Sequence, residues 1–206
     1  PKTFEFLGGL MDDLVRMFPE ARYIHVGGDE FGHNFAKCPL CKARADAIGK
    51  PALYAEHMMK LRAMCRERKR GMMIWWHEEG FTDAAADQLA KDIVVFDWHY
   101  GNQASYPTLA RLQGEGFRET WATPAVTRYY GSRNDWDETF GNISGFLAAG
   151  AKQKVPGECT CTWVHGIWGG RNLFELNLYG LVLSGNCAWN AAARDYGDFR
   201  WRFARH

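Results

Sequence analysis

Five short apolar runs recur along the chain, and each is followed by a segment with helical spacing. They lie at residues 21–26, 72–76, 93–96, 117–121 and 158–164. A half-buried antiparallel strand alternates apolar and polar residues, whereas these runs are continuous, as expected of strands covered on both faces. A strand, a helix and another strand in repetition argue for a parallel sheet with right-handed crossovers. The intervening helices are expected at 3–18, 52–70, 84–90, 107–113, 143–154 and 172–193. Thr3 is a candidate N-cap for the first, where Phe6, Leu7, Leu10, Leu14, Val15 and Phe18 repeat at helical spacing. Gly71 stops the second after a basic last turn. Residues 31–48 read as a loop-like insertion rich in Gly, Asn, Cys and Pro. Two α/β architectures fit this rhythm: an open doubly wound sheet, or part of a (β/α)8 TIM barrel. A complete barrel takes about 250 residues and eight units, so five units in 206 residues would be the second half of one.

Chemistry collects where the runs end. Tyr23-Ile24-His25-Val26 leads into Gly27-Gly28, then into the adjacent carboxylates Asp29 and Glu30. The glycines can take positive φ and let a ligand approach the backbone. Later runs end in Trp76-His77-Glu78-Glu79, in Asp97-Trp98-His99-Tyr100, in Trp121, and in Trp163-Val164-His165, and Tyr130 lies in the polar stretch after the fourth. In a barrel all of these line one mouth. Phe in a chain with thirteen of them belongs to the core, but nine Trp recurring at strand ends suit a pocket that stacks flat ligand faces such as sugars. Carboxylates beside indoles fit glycoside hydrolysis, which needs a proton donor to the leaving oxygen and a group that stabilises the oxocarbenium-like centre. Neighbours in sequence leave the backbone in different directions. Glu30 is therefore read as the acid and Asp29 as an orienting or charge-stabilising group, with the nucleophile supplied by the substrate.

His25-Val26-Gly27-Gly28-Asp29-Glu30 resembles the His-x-Gly-Gly-Asp-Glu signature of glycoside hydrolase family 20, the β-N-acetylhexosaminidases. Trp76-His77-Glu78 is similar to the family's Trp-x-Glu after the fifth strand. Trp98 resembles the Trp after the sixth strand, Tyr130 the Tyr of the seventh-strand loop and Trp163 the Trp of the eighth. The stretch from Leu178-Tyr179-Gly180 to Ala188-Trp189-Asn190 resembles the last barrel helix. The resemblance implies a single catalytic domain over 1–206, made of about strands four to eight of the barrel. It also implies exo-hydrolysis of terminal β-linked N-acetylhexosamine (GlcNAc or GalNAc) with retention, in which the 2-acetamido oxygen attacks the anomeric carbon. Glu30 would serve as acid and then base, and Asp29 would hold the acetamido N–H. Trp76, Trp98, Tyr130 and Trp163 would bind the sugar, with His25 grouped among them as an orienter rather than a catalyst. No cofactor and no metal are implied, and the partners are N-acetylhexosamine-containing glycans or glycoconjugates. Two departures stand out. The early-barrel Arg and the first three strands are absent from the chain, and His165 stands where an acidic residue often follows the eighth-strand Trp.

Other readings are weighed against this one. Gly27-Gly28-Asp29-Glu30-Phe31 also spells the diguanylate cyclase signature, but there it sits in a hairpin and a second apolar strand follows, unlike Gly32-His33-Asn34-Phe35-Ala36-Lys37. A non-catalytic carbohydrate-binding relative of the same barrel would have little reason to carry both carboxylates. The charge balance, 25 basic against 24 acidic residues for a net +1, gives no reason to expect nucleic acid or a membrane surface. No apolar run approaches the roughly 20 residues of a membrane span. Cys38-Pro39-Leu40-Cys41 is a CxxC for which Cys159-x-Cys161 makes a poor zinc partner. The six cysteines are expected to be structural or unpaired thiols, with a local disulfide, a metal clip or a redox role as alternatives. The chain opens at Pro1 without an initiator Met and is expected to be a fragment, inactive and aggregation-prone on its own because open sheet edges would remain. Its start therefore says nothing of compartment.

Overall fold

The structure is a computed structural model and describes residues 2–30, 35–76, 81–126, 135–163 and 177–205. Its elements in order are α1 (Lys2–Met17), β1 (Tyr23–His25), α2 (Pro39–Ile48), α3 (Lys50–Glu67), β2 (Gly71–Trp76), α4 (Phe81–Ala85), a 3-10 turn (Ala86–Gln88), β3 (Val94–Trp98), α5 (Thr108–Gly114), β4 (Thr120–Thr123), α6 (Trp136–Lys152), α7 (Leu178–Trp189) and α8 (Tyr196–Phe203). The strands form one sheet in the order β1-β2-β3-β4. β1 runs parallel to β2 with Tyr23 opposite Gly71 and His25 opposite Met73. Two isolated parallel bridges, Ala122 to Glu158 and Ala125 to Cys161, lie where a further strand is expected at 158–164. The fold is thus α/β with a parallel sheet, as the helix–strand rhythm requires.

The chain divides into two compact units. In the first, residues 1–96 and 112–119, α3 turns Tyr54, Ala55, Met58, Leu61 and Cys65 inward at helical spacing onto Met72, Ile74 and Trp76 of β2. α1 adds Met11, with Leu7 and Val15 packed alongside. The apolar residues of β2 are continuous in sequence, yet their burial alternates: Met72, Ile74 and Trp76 are buried, while Gly71, Met73 and Trp75 are half-buried. Arg62 fastens this unit's helix layer through a two-pronged pair with Asp92, at 2.7 and 2.6 Å.

In the second unit, residues 97–111 and 120–206, α6 buries Ile143, Phe146 and Leu147 against Tyr106, Leu109, Ala122, Val126 and Leu183. Asn142, fully buried, sits among them. Its side-chain N–H group donates to the carbonyls of His99 (2.7 Å) and Gly101 (3.0 Å), and its carbonyl accepts from the Ala125 N–H (3.0 Å). One side chain thus satisfies three backbone groups that burial would otherwise leave unpaired.

Several boundaries differ from the expectations. The segment read as a loop at 31–48 contains α2, started by Pro39 at a position where a missing N–H costs nothing and by the Cys38 sulfur, which accepts from the Cys41 N–H at 3.2 Å. Gly49, at φ +84°, separates α2 from α3. The helix expected at 84–90 starts earlier, at Phe81, and tightens into the 3-10 turn at Ala86–Gln88. The strand expected at 117–121 lies at Thr120–Thr123. α6 starts seven residues before 143 because Asp135 caps it, its carboxylate accepting from the Glu138 N–H. The helix expected at 172–193 is α7, of which 172–176 lies outside the described residues, and α8 follows under the cap of Asp195.

Candidate active site

The carboxylate pair belongs to the first unit. β1 ends at His25, and the ladder continues past it: the Val26 N–H donates to Met73 O, and the Trp75 N–H to Gly27 O, both at 3.0 Å. The chain then turns through Gly27 at φ +79° and Gly28 at φ +109°, values that favour glycine. Gly28 is also tight. A methyl group there would meet the Met58 methyl at 3.3 Å, the Tyr54 hydroxyl at 3.5 Å and the Trp75 carbonyl at 3.6 Å. Beyond it Asp29 is half-buried and Glu30 exposed, and Glu30 itself adopts φ +49°. A non-glycine residue held in the left-handed region costs about 1–2 kcal/mol, and such strain collects at functional turns.

His25 braces this turn. Its Nδ1 accepts from the Gly27 N–H at 3.1 Å, so the neutral ring carries its proton on Nε2. The ring lies against Trp75 and Phe96, with centroids 4.6 and 5.0 Å away. Burial holds the imidazole down to about 4, against a weaker upward pull from Asp29, so the ring is neutral at pH 7. The buried Nε2 finds no hydrogen-bond partner among the described residues. Tyr54 feels the same field: burial first, and Asp29 second, raise its phenol well above the ordinary value.

Trp76 occupies the opposite face from that bracing. It is 1% exposed, its indole N–H donates to Asp83 at 3.1 Å, and its edge meets Phe117. The neighbouring Trp75, half-buried and tilted against His25, is the indole on the turn's side of β2. A continuous apolar run does not show which residues face which way; the register with β1 puts Trp75 on the His25 side.

Trp98 and Trp163 belong to the second unit and are half-buried there. Trp98 lies on Tyr100, centroids 4.9 Å apart. His99 Nε2 stands 3.0 Å from Oδ1 of the buried Asp97, and Gly157 leaves room for Trp121, whose ring an added methyl would meet at 2.9 Å. Tyr130, Glu78, Glu79 and His165 lie outside the described residues. Among the described residues no group of three or more His, Cys, Asp or Glu side chains could hold a metal ion, and no helix is long and apolar enough to cross a membrane.

The turn also disposes of the hairpin reading of Gly-Gly-Asp-Glu-Phe. β1 pairs parallel with β2, and two helices separate them in sequence.

Solved structures similar to this fold include a chitobiase and two hexosaminidase-type enzymes. A chitobiase from Flavobacterium johnsoniae superposes with a TM-score of 0.68 at 18% identity, over 100% of this chain and 31% of its own. An exo-β-N-acetylglucosaminidase from Vibrio harveyi, solved with N-acetylglucosamine, gives 0.67 at 18%, over 99% and 34%. A β-N-acetylhexosaminidase from Bacteroides fragilis NCTC 9343 gives 0.62 at 15%, over 100% and 43%. The chain therefore spans about a third to two-fifths of the length of these proteins. No curated protein sequence matches it. The sequence pattern of the glycosyl hydrolase family 20 catalytic domain matches residues 1–130, and the chain belongs to that family.

Proposed function

We propose that the protein removes terminal β-linked N-acetylhexosamine from glycans by substrate-assisted hydrolysis, and that this chain supplies about strands four to eight of a (β/α)8 barrel within one catalytic domain. The observation that carries the reading is the turn after β1: two adjacent carboxylates, one half-buried and one exposed, presented by two glycines at positive φ and braced by His25.

In this reading Glu30, which reaches solvent, donates its proton to the glycosidic oxygen as the bond to the anomeric carbon breaks. The 2-acetamido carbonyl oxygen of the substrate forms the new bond to that carbon from the opposite side, giving an oxazolinium-type intermediate. Asp29 accepts the acetamido N–H and stabilises the positive charge that develops there. Glu30, now a carboxylate, takes a proton from water, whose oxygen opens the intermediate with net retention. Trp98, Tyr130 and Trp163 would wall the sugar and its N-acetyl methyl. Trp76 is buried and held by Asp83, and His25 would fix the turn. The V. harveyi and B. fragilis enzymes act on or bind N-acetylated sugars, which supports the substrate class.

The test uses the whole protein in which the chain occurs. An aryl N-acetyl-β-glucosaminide should be cleaved with retention, and the matching aryl β-glucoside, which lacks the acetamido oxygen, should be cleaved at least about a thousandfold more slowly, the loss expected when a positioned nucleophile disappears. Equal rates, or inversion, would exclude the proposed mechanism. Sugar binding with no cleavage would identify a binding relative instead.

A further inference from the structure

The mechanism leaves an exposed pair of thiols unused. Cys38 and Cys41 stand at the N-terminus of α2 with Pro39 and Leu40 between them, and both are exposed. The other cysteines differ: Cys65, Cys161 and Cys187 are buried and Cys159 is half-buried. The Cys38 sulfur caps the helix by accepting from the Cys41 N–H at 3.2 Å. Leu40, which separates them, is 85% exposed and covers neither. No acidic residue stands in the first turn to oppose a negative sulfur.

We propose that Cys38 and Cys41 form a redox-active dithiol, with Cys38 the attacking and Cys41 the resolving thiol, whose substrates are accessible low-molecular-weight disulfides. The hydrogen bonds that the Cys41 thiol and N–H give to Cys38 hold the Cys38 thiol below its ordinary range, and the same arrangement holds Cys41 above it. The thiolate is the attacking form, so the two sulfurs have different roles. The Cys38 thiolate bonds to one sulfur of a disulfide such as oxidised glutathione, and the other sulfur leaves as a thiolate. Cys41 then loses its proton to that leaving thiolate or to water. Its sulfur bonds to Cys38, and the second glutathione thiolate leaves. The protein loses two electrons and two protons, and one disulfide becomes two thiols. The reaction is independent of sugar cleavage, because neither cysteine lies in the turn that presents Asp29 and Glu30.

The experiment treats the whole protein with oxidised glutathione, quenches with acid, and follows intact mass and the modified peptides. The wild type should end two hydrogens lighter, with residues 38 and 41 cross-linked and the other four thiols unmodified. Cys41→Ser should stop at one glutathione on Cys38. Cys38→Ser should acquire glutathione at Cys41 about tenfold more slowly, because the lower-pKa thiol is the faster nucleophile at neutral pH. Serine at 38 keeps an oxygen to cap α2, so loss of reaction there cannot be put down to loss of the helix. Equal rates at the two cysteines, no intramolecular cross-link in the wild type, or thiols that react only after a chelator has removed a bound metal would each overturn the proposal.

Discussion

Replacing Asn142 by alanine should destabilise the protein by about 3 kcal/mol without touching a proposed catalytic group. The side chain is fully buried and bonds to His99 O, Gly101 O and the Ala125 N–H, with the Tyr106 hydroxyl a fourth partner at 3.3 Å. Each is worth about 0.5–1.5 kcal/mol net, and leaving a buried donor such as the Ala125 N–H unpaired costs about 1–3 kcal/mol. Aspartate makes a sharper test. It keeps an acceptor for Ala125, but it aims a second carboxylate oxygen at two carbonyls 2.7 and 3.0 Å away. That carboxyl should hold its proton more tightly in the folded state than in the unfolded one. The Asp variant should therefore lie further below wild type at pH 7 than at pH 4, recovering as the acid protonates it. Urea unfolding of the whole protein at both pH values measures this, read as a fall in midpoint at unchanged slope. An Ala variant within about 0.5 kcal/mol of wild type, below the worth of a single net hydrogen bond, would refute the assignment, as would an Asp variant whose deficit does not change with pH.

His25 should contribute a pH dependence of its own. Its folded value, about 4, lies below its ordinary 6.5, so the unfolded chain binds the proton first. Wild-type stability should fall as the pH drops from about 6.5 to about 4, and His25→Gln should lose that part of the slope in pH-dependent denaturation. Gly28→Ala should cost about 1–3 kcal/mol for the left-handed backbone and lower kcat about tenfold or more as the carboxylates shift, measured by thermal denaturation and by steady-state kinetics. Asp92→Asn, which cuts the exposed pair with Arg62, should cost about 1 kcal/mol or less and leave activity unchanged.

What the sequence made legible follows from how local the signal is. The parallel α/β class could be read because β2 and residues 93–96 are continuous apolar runs beside helices with clear spacing. The carboxylate turn could be read because Gly27 and Gly28 are the signal for their own φ. α2 was illegible: Cys38-Pro39 looks like a loop dipeptide until a sulfur caps the helix. The start of α6 was hidden in a polar stretch because the cap is Asp135, a residue equally at home in loops. The choice between Trp75 and Trp76 was beyond the sequence, since strand parity in an all-apolar run is set by the register with β1. Asn142 gave no sign either. Its partners come from two other segments, at 99–106 and 125, which only the folded chain brings to α6.

The central claim is that Glu30 moves the proton while Asp29 positions the acetamide, and Glu30→Gln tests it most directly. The variant is assayed as the whole protein on an aryl N-acetyl-β-glucosaminide, with binding of a thiazoline inhibitor measured in parallel. The account predicts a loss of kcat of about a hundredfold or more, the usual worth of a positioned acid–base group, with inhibitor binding retained within about tenfold because Asp29 and the glycine turn remain. Near wild-type turnover by Glu30→Gln would contradict it.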